Sequence, residues 1–226
     1  MASNQPSMNW DRYWRKDGSM YARLWDAIAH FYRTVIIDRA VDREGRRCFD
    51  AGATVLHAGS GSGATDIPLG SHVRFVAMDL SVEALRIYRL LHGDHAQLVL
   101  ADLRAMPFGD SSVDGILSIG VIEHFERSDM QSVLREHSRV VRPGGRLLIL
   151  WPPVWGVTVR LLAVAECAIG AIVRRSVRLH PPEPGLYRSR RETEAHVRGT
   201  GLEIVSSRFG WRDAFTHQFV VLRRLP

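Results

Sequence analysis

From residue 53 to residue 151, short apolar runs alternate with segments whose apolar residues recur at helical spacing. The runs predict five strands, at 54–56, 73–78, 98–100, 113–119 and 146–151. The helical spacing predicts a helix at 81–91, with Ser81 as its N-cap, and another at 129–141, ended by Pro143-Gly144-Gly145. Such alternation indicates a parallel sheet with helices packed against it.

Two segments lie outside this core. Residues 9–42 are rich in aromatic side chains, and their later part has helical spacing. Residues 154–188 form an insertion after the fifth strand, and a helix from about Arg190 and strands at 202–208 and 215–222 are predicted to follow it. We expect one domain over residues 1–226, with residues 1–50 as an N-terminal helical segment.

The apolar run at 154–173 has about the length of a membrane span. However, Arg160 and Glu166 interrupt it, and each costs ~2.5–3.5 kcal/mol at the centre of a membrane helix. We therefore reject a transmembrane helix. A helix packed over the core, a helix lining a substrate pocket and a helix touching a membrane surface remain as alternatives.

The composition fits one globular core, with 226 residues of which 46% are hydrophobic and 24% charged, and it excludes an intrinsically disordered chain. Two cysteines, Cys48 and Cys167, exclude a disulfide scaffold and a thiolate zinc site. No apolar signal stretch begins the chain, so we expect a cytoplasmic location. If the helix at 154–173 touches a membrane surface, the protein would be peripheral at that surface.

The net charge of +6 comes entirely from residues 154–226, which hold 12 arginines against 6 acidic residues. Half of these arginines form a belt after the apolar run: Arg174, Arg175, Arg178, Arg188, Arg190 and Arg191. A solvated face, an anionic acceptor, an anionic lipid surface and nucleic acid would each suit this belt. Nucleic acid is the least favoured, because no aromatic-interleaved RNA-binding platform accompanies the arginines.

The strongest single motif is a glycine-rich segment after the first strand, His57-Ala58-Gly59-Ser60-Gly61-Ser62-Gly63-Ala64. Glycines there let the backbone turn sharply and approach a ligand, and a helix N-terminus is expected after them. Asp79 follows at the end of the second strand, where a carboxylate can accept from both hydroxyls of a ribose. Alone, this pattern also fits a dinucleotide-binding loop.

Further motifs decide between these interpretations, and they follow in order: Ala101-Asp102-Leu103-Arg104-Ala105-Met106-Pro107-Phe108, Ser112-Val113-Asp114-Gly115, Gly120-Val121-Ile122-Glu123-His124-Phe125 and Arg142-Pro143-Gly144-Gly145. With the glycine loop, the ordered series over about 53–152 resembles the class I S-adenosylmethionine (SAM)-dependent methyltransferases. The resemblance is to their small-molecule branch, which includes ubiquinone-biosynthesis-type enzymes (methyltransferase type 11). A dinucleotide dehydrogenase needs none of the later motifs.

The resemblance implies an α/β fold: a Rossmann-like, doubly wound, seven-stranded sheet, mostly parallel with an antiparallel last strand. An N-terminal helical lid and a helical insertion after the fifth strand would complete it. It also implies SAM as cofactor, S-adenosylhomocysteine as product, and in-line methyl transfer to a small, apolar or aromatic acceptor without a metal. A non-catalytic SAM-binding protein and an RNA methyltransferase remain as alternatives. Oligomeric state is not addressed by any motif.

The resemblance also implies roles for single residues. Gly59, Ser60, Gly61 and Gly63 would form the loop around the methionine part of SAM. Asp79 would bind the ribose, Leu80 would lie against the adenine, and Asp102 with Leu103 would meet the adenine amino group. The floor near the sulfonium would consist of Ser118, Ile119 and Gly120.

His57 departs from the family pattern, which usually has Asp or Glu at this position to help hold the methionine amine. A neutral imidazole can accept one hydrogen bond there, whereas a protonated imidazole would repel both the amine and the sulfonium. We therefore expect cofactor affinity to fall at acid pH.

Other polar and aromatic residues have competing interpretations. His124 is a candidate general base or a support for its loop, and His92-Gly93-Asp94-His95 is interpreted as a solvated turn rather than a metal site. His137 is expected on an exposed helix face. The aromatic N-terminal segment covers either the core or the cofactor, with Tyr13, Trp14 and Tyr21 as candidates for the lid. Residues 154–180 would provide any membrane contact.

Overall fold

A computed structural model describes residues 9–15, 33–94, 96–174, 179, 181–211 and 214–226. It has a seven-stranded sheet in the order β3-β2-β1-β4-β5-β7-β6. The strands are β1 Thr54–Ala58, β2 Arg74–Asp79, β3 Gln97–Leu100, β4 Val113–Ile119, β5 Val141–Trp151, β6 Leu202–Arg208 and β7 Gln218–Arg224. Strands β1 to β5 pair in parallel, whereas β7 is antiparallel to β5 and β6. The expected doubly wound fold is confirmed.

The helices are α1 Trp10–Arg15, α2 Asp38–Cys48, α3 Val82–His92, α4 Arg127–Val140, α5 Val157–Val173 and α6 Arg190–Val197. The Ser81 hydroxyl accepts from Ala84 N at 3.2 Å, so the predicted N-cap of α3 is confirmed. A π-helical turn at Arg33–Ile37 leads into α2, so the described later part of 9–42 is helical, as expected. None of the helices in the described residues combines the length and apolar character needed to cross a bilayer.

The apolar runs bury both faces of the sheet, because neighbouring residues of a strand point to opposite sides. Leu56 and Leu147 belong to one buried cluster, and their neighbours Val55 and Leu148 belong to the other, together with Val41 of α2. The central strands are therefore held on both sides, and their carboxyl ends form a fixed edge for a site.

Three local expectations are wrong. No α-helix follows the glycine loop; residues 61–67 form turns that lead into a 3₁₀ helix, Pro68–Ser71. Pro68 cannot donate a helical hydrogen bond, and Asp66 directs its side chain into the interior. Strand β5 begins at Val141 rather than 146, because residues 142–145 bulge from the ladder between two paired positions. Strand β7 spans 218–224 rather than 215–222.

His137 is buried rather than exposed, which corrects its expected place on a solvated helix face. Its Nδ1 donates to the Val133 carbonyl oxygen at 2.7 Å within α4. Burial lowers the pKa of His137 to about 4, so the imidazole is neutral near pH 7. It is a core residue on the same helix face as Met130 and Val133.

Candidate active site

The glycine loop is tied to the carboxyl end of β2. Gly59 N and Ser60 N both donate to the Met78 carbonyl oxygen, at 2.8 and 2.9 Å. Asp79, the last residue of β2, accepts from Gly61 N at Oδ2 and from Ser81 N at Oδ1, each at 2.8 Å. One carboxylate therefore fixes both the loop and the start of α3, at the edge where such sheets bind ligands.

Asp79 combines a shielded carboxylate with an apolar neighbour. Burial raises the pKa of Asp79, although the backbone donors of Ser81 and Gly61 oppose that rise. Leu80, the next residue, is half-exposed. A carboxylate beside an exposed apolar side chain can serve a nucleoside, since ribose hydroxyls donate to the first and a purine packs against the second.

Gly63 makes the close approach of the loop to α3 feasible. Its φ is +69°, and a Cβ at this position would lie 2.3 Å from Cε2 of Tyr88. Any side chain would therefore collide with a buried ring. Gly63 therefore lets the loop pack against Tyr88 of α3, on the inner side of the loop.

Beneath the loop, His57 binds a carboxylate that the sequence analysis did not identify. His57 is buried in β1, and its Nδ1 lies 2.5 Å from Oδ2 of Asp66. Tyr88 donates its hydroxyl to the same oxygen at 3.0 Å, and His92 Nε2 lies 3.1 Å from Oδ1. Asp66 thus carries negative charge nine residues after the position where the family usually has an acid.

These partners keep Asp66 ionised. Burial alone would raise the pKa of Asp66, but the charges and hydrogen bonds of His57 and His92 outweigh burial and hold it below its usual value. The pKa of His92 is raised, because hydrogen bonding to Asp66 outweighs the opposite effect of burial. His92 therefore belongs to this network and not to a solvated turn. Asp94 is exposed, and His95 lies outside the described residues.

Asp102 follows β3 and is bound by Arg104. Guanidinium nitrogens of Arg104 lie 2.6 and 3.1 Å from Asp102 Oδ2, and the hydrogen bonds from Arg104 lower the pKa of Asp102. A contact with an adenine amino group would have to share the carboxylate with Arg104. Leu103 is buried beside it.

The turn after β4 contains a second unexpected acid. Ser118 is buried, Ile119 is partly buried, and Gly120 adopts a φ of +65°. Glu123 is buried, its Oε2 has no hydrogen-bond partner among the residues that the structure describes, and burial raises its pKa well above the usual value. A Cβ at Gly120 would lie 3.5 Å from Oε1 of Glu123, so this acid adjoins the predicted floor.

His124 joins this turn to the insertion and to the N-terminal helix. Its Nδ1 donates to the Pro182 carbonyl oxygen at 3.0 Å, and its ring meets that of Trp10 edge-on, with centroids 5.0 Å apart. Gly185 reinforces the junction, since its N donates to the Glu123 carbonyl oxygen at 2.8 Å. The end of the insertion therefore lies beside the end of β4.

Helix α1 spans from this turn to the glycine loop. Asp11 Oδ1 accepts from the Ser81 hydroxyl at 2.6 Å and from Glu83 N at 3.3 Å, and the Ser81 hydrogen bond lowers the pKa of Asp11. A Cβ at Gly61 would lie 2.8 Å from Trp14. The aromatic rings of α1 thus cover the edge where the glycine loop lies.

Of the remaining lid candidates, Tyr13 packs its ring against Trp14, with centroids 5.4 Å apart, and Tyr21 lies outside the described residues.

Three acids of the site were not predicted from the sequence. Asp11 and Asp66 carry no local sequence signal, because their partners are distant in the chain or lie across a turn. Glu123 lies inside a recognised motif, but only its burial reveals an unusual acid.

Residues 56–149 match the family model described as a methyltransferase domain. These residues form a methyltransferase domain. The matched segment runs from β1 into β5, and it includes the glycine loop, Asp79, Asp102 and the turn at His124.

Named relatives agree with this assignment. The chain is 34% identical over 119 residues to the ubiquinone/menaquinone biosynthesis C-methyltransferase UbiE of Hahella chejuensis. The alignment covers 49% of this chain and 46% of the relative, so the chain spans about half the length of that protein.

Two solved structures share the fold. A SAM-dependent methyltransferase from Methanosarcina mazei has a TM-score of 0.60 at 17% identity, covering 80% of this chain and 97% of that one. The geranyl diphosphate C-methyltransferase of Streptomyces coelicolor, solved with S-adenosylhomocysteine, has a TM-score of 0.57 at 17% identity, covering 83% and 76%. At these identities the likeness concerns the fold.

The residues of the methyltransferase domain fit SAM, the cofactor of its family. Asp79 offers a carboxylate at the carboxyl edge, with exposed apolar surface on Leu80 directly beside it. Glycines at 59 and 61 have positive φ and leave the loop backbone without side chains. These features suit a ligand with a ribose and a purine.

Proposed function

We propose that the methyltransferase domain transfers the methyl group of SAM to a small, apolar or aromatic acceptor. The observation that carries this proposal is the position of His124, held between Trp10 and Pro182 at the end of β4. The relative from Hahella chejuensis, named for ubiquinone and menaquinone biosynthesis, supports an acceptor of this class.

In this proposal the cofactor lies along the carboxyl edge. Asp79 accepts from the ribose hydroxyls, and Leu80 packs against the adenine. The methionine part lies against the glycine loop, where Gly59 and Gly61 have positive φ. Ionised Asp66 supports His57 from beneath, so the chain retains a negative charge near the position where the family usually has an acid.

Bound SAM supplies a methyl group whose bond to sulfur breaks as the acceptor atom bonds to it in line, leaving S-adenosylhomocysteine. The protein contributes alignment and a dry site. Helix α1 serves as the lid on the cofactor side, through Trp14 over Gly61. The insertion closes the acceptor side, where its end is bonded to the turn of Glu123 and His124.

His124 takes the proton of a hydroxyl acceptor. Because its Nδ1 donates to the Pro182 carbonyl oxygen, the neutral ring carries its proton on Nδ1 and keeps a lone pair on Nε2. This tautomer lets Nε2 act as a general base, an effect worth roughly 10²–10⁴-fold in rate.

A screen for released S-adenosylhomocysteine, with phenols, quinols, prenylated alcohols and RNA as acceptors, tests the proposal. We expect turnover with an apolar or aromatic acceptor, and His124→Gln should lower kcat roughly 10²-fold or more without changing SAM affinity. His196→Gln, on α6, is the matched control. SAM binding without product release would favour a non-catalytic protein, and release with RNA alone would favour an RNA methyltransferase.

A further inference from the structure

Helix α5 presents its apolar side to solvent. A surface helix normally turns its apolar stripe inward and its charged side outward. In α5 the exposed positions recur with helical spacing along one side, and they hold a single charge: Val157, Arg160, Leu161, Ala163, Val164, Cys167, Ala168 and Ala171. Leu161 is 63% exposed and Val164 is 67% exposed.

The opposite side of α5 adds little to the core. None of the α5 side chains that the structure describes is buried. Glu166, on the partly covered side, accepts from Leu179 N at 2.8 Å, so the polar group faces the protein. This inverted arrangement means that folding of the domain alone does not explain the apolar stripe.

Aromatic side chains continue the stripe beyond the start of α5. Val157 N donates to the Phe215 carbonyl oxygen at 3.1 Å, which places Phe215 beside the start of α5. The rings of Trp155 and Phe215 both lie against Phe209, with centroids 6.2 and 5.7 Å apart, and both remain exposed. We call the exposed side chains of Trp155, Val157, Leu161, Val164 and Phe215 the α5 surface.

Arginines border the α5 surface. Arg160 is exposed on the stripe, and Arg174 is exposed at the C-cap of α5. Arg188 is exposed directly after Tyr187, whose ring contacts Trp155 at a centroid distance of 5.8 Å. Arg175 and Arg178 also follow α5 in the sequence, although they lie outside the described residues.

We propose that the α5 surface docks on an anionic lipid bilayer, with α5 lying flat in the interface. Apolar side chains and the aromatic rings of Trp155 and Phe215 enter the headgroup region, and bordering arginines attract anionic lipid. A second copy of the chain fits less well, because a symmetric contact would bring the two sets of arginines together. The docking is independent of methyl transfer, yet it would bring the acceptor side of the domain to the phase in which apolar acceptors dissolve.

Sedimentation of the full chain with vesicles tests the proposal. We expect binding to vesicles with one part phosphatidylglycerol to three parts phosphatidylcholine, weaker binding to phosphatidylcholine alone, and a loss between about 50 and 500 mM NaCl. The double variant Leu161→Glu/Val164→Glu should lower partitioning by about tenfold or more, equivalent to about 1.4 kcal/mol.

A matched control lies on another helix. Leu90 is 75% exposed and Leu91 is 49% exposed on α3, so Leu90→Glu/Leu91→Glu introduces the same charges outside the α5 surface. This variant should partition like the wild type, and both variants should keep wild-type SAM affinity by calorimetry. Equal partitioning of the two double variants would overturn the proposal, and so would a wild type that ignores anionic vesicles at low salt.

Cys167 provides a second readout on the same stripe. It is exposed, whereas Cys48 is buried and burial raises the pKa of Cys48 to about 12, so a thiol-reactive fluorophore labels Cys167 selectively. The emission of the fluorophore on Cys167 should shift to the blue when anionic vesicles are added. The shift should be absent when the fluorophore is attached instead to Leu90→Cys in a Cys167→Ser background. A blue shift without vesicles that depends on protein concentration would instead assign the surface to self-association.

Discussion

His57 and Asp66 form a buried pair beneath the glycine loop, with Nδ1 and Oδ2 2.5 Å apart. Each residue supplies the partner that the other needs, since a buried imidazole in β1 needs a polar partner and a buried carboxylate needs donors. Tyr88 of α3 donates to the same oxygen, and His92 Nε2 lies 3.1 Å from the other one. The pair therefore couples the cofactor loop to α3 through a charge that the sequence pattern did not reveal.

Asp66→Asn should destabilise the domain by ~1–3 kcal/mol, because it removes the buried charge that His57 and His92 solvate. The raised pKa of His92 contributes stability below the unfolded-state pKa, and this contribution is lost as pH rises through the folded-state pKa. The variant's deficit in urea unfolding should thus be larger at about pH 5.5 than at about pH 8.5. Asp94→Asn, an exposed control, should show no deficit; an equal deficit at both pH values would remove His92 from the network.

Helix α1 should control how long the cofactor stays bound. Asp11→Ala removes the hydrogen bonds from the Ser81 hydroxyl and Glu83 N that dock α1 on α3. We expect SAM to dissociate several-fold faster, as followed by tryptophan fluorescence in stopped flow, while the circular dichroism spectrum stays unchanged. Asp38→Ala, at the start of α2, is the control. An unchanged dissociation rate would show that α1 covers the core and not the cofactor.

Asp102 and Arg104 should have opposite effects on cofactor binding. Asp102→Ala should weaken SAM binding less than loss of Asp79, because it removes a contact only at the adenine edge. Arg104→Ala releases the carboxylate of Asp102, so SAM affinity should be retained or increased. Calorimetry measures both variants. Wild-type affinity in Asp102→Ala would refute the adenine contact, and loss of folding would make the Asp102–Arg104 pair structural.

The insertion should be dispensable for cofactor binding and essential for turnover. Replacing residues 157–179 with a Gly/Ser linker removes a helix none of whose described side chains is buried, so the sheet should keep its fold and SAM affinity. Product release should be abolished, because Pro182 and Gly185, which contact the turn of Glu123 and His124, lose the helix that leads into them. Full activity in the deletion variant would leave the insertion without a role in the acceptor site.

The sheet and the family were predictable from the sequence, but the network beneath the loop was not. Runs such as Val113–Ile119 predict strands because both faces are buried, and the motif series recovers the methyltransferase domain over 56–149. Asp66 contacts His57 only because Pro68 and the glycines prevent an α-helix after β1. His137 was misplaced because a histidine is interpreted as polar until its helix face is known to be buried. Asp11 meets Ser81 across 70 residues, a contact that no local pattern encodes.

Calorimetric titration of SAM into the wild type and Asp79→Ala tests the central claim most directly, namely that the cofactor lies along the edge at Asp79. Charge-assisted hydrogen bonds contribute roughly 1.5–3 kcal/mol each, so the variant should bind at least ~10-fold more weakly while its fold survives. Because burial raises the pKa of Asp79, wild-type affinity should begin to fall at a higher pH than an ordinary aspartate would allow. Equal affinity of the two proteins, or no binding by a folded wild type, would contradict the account.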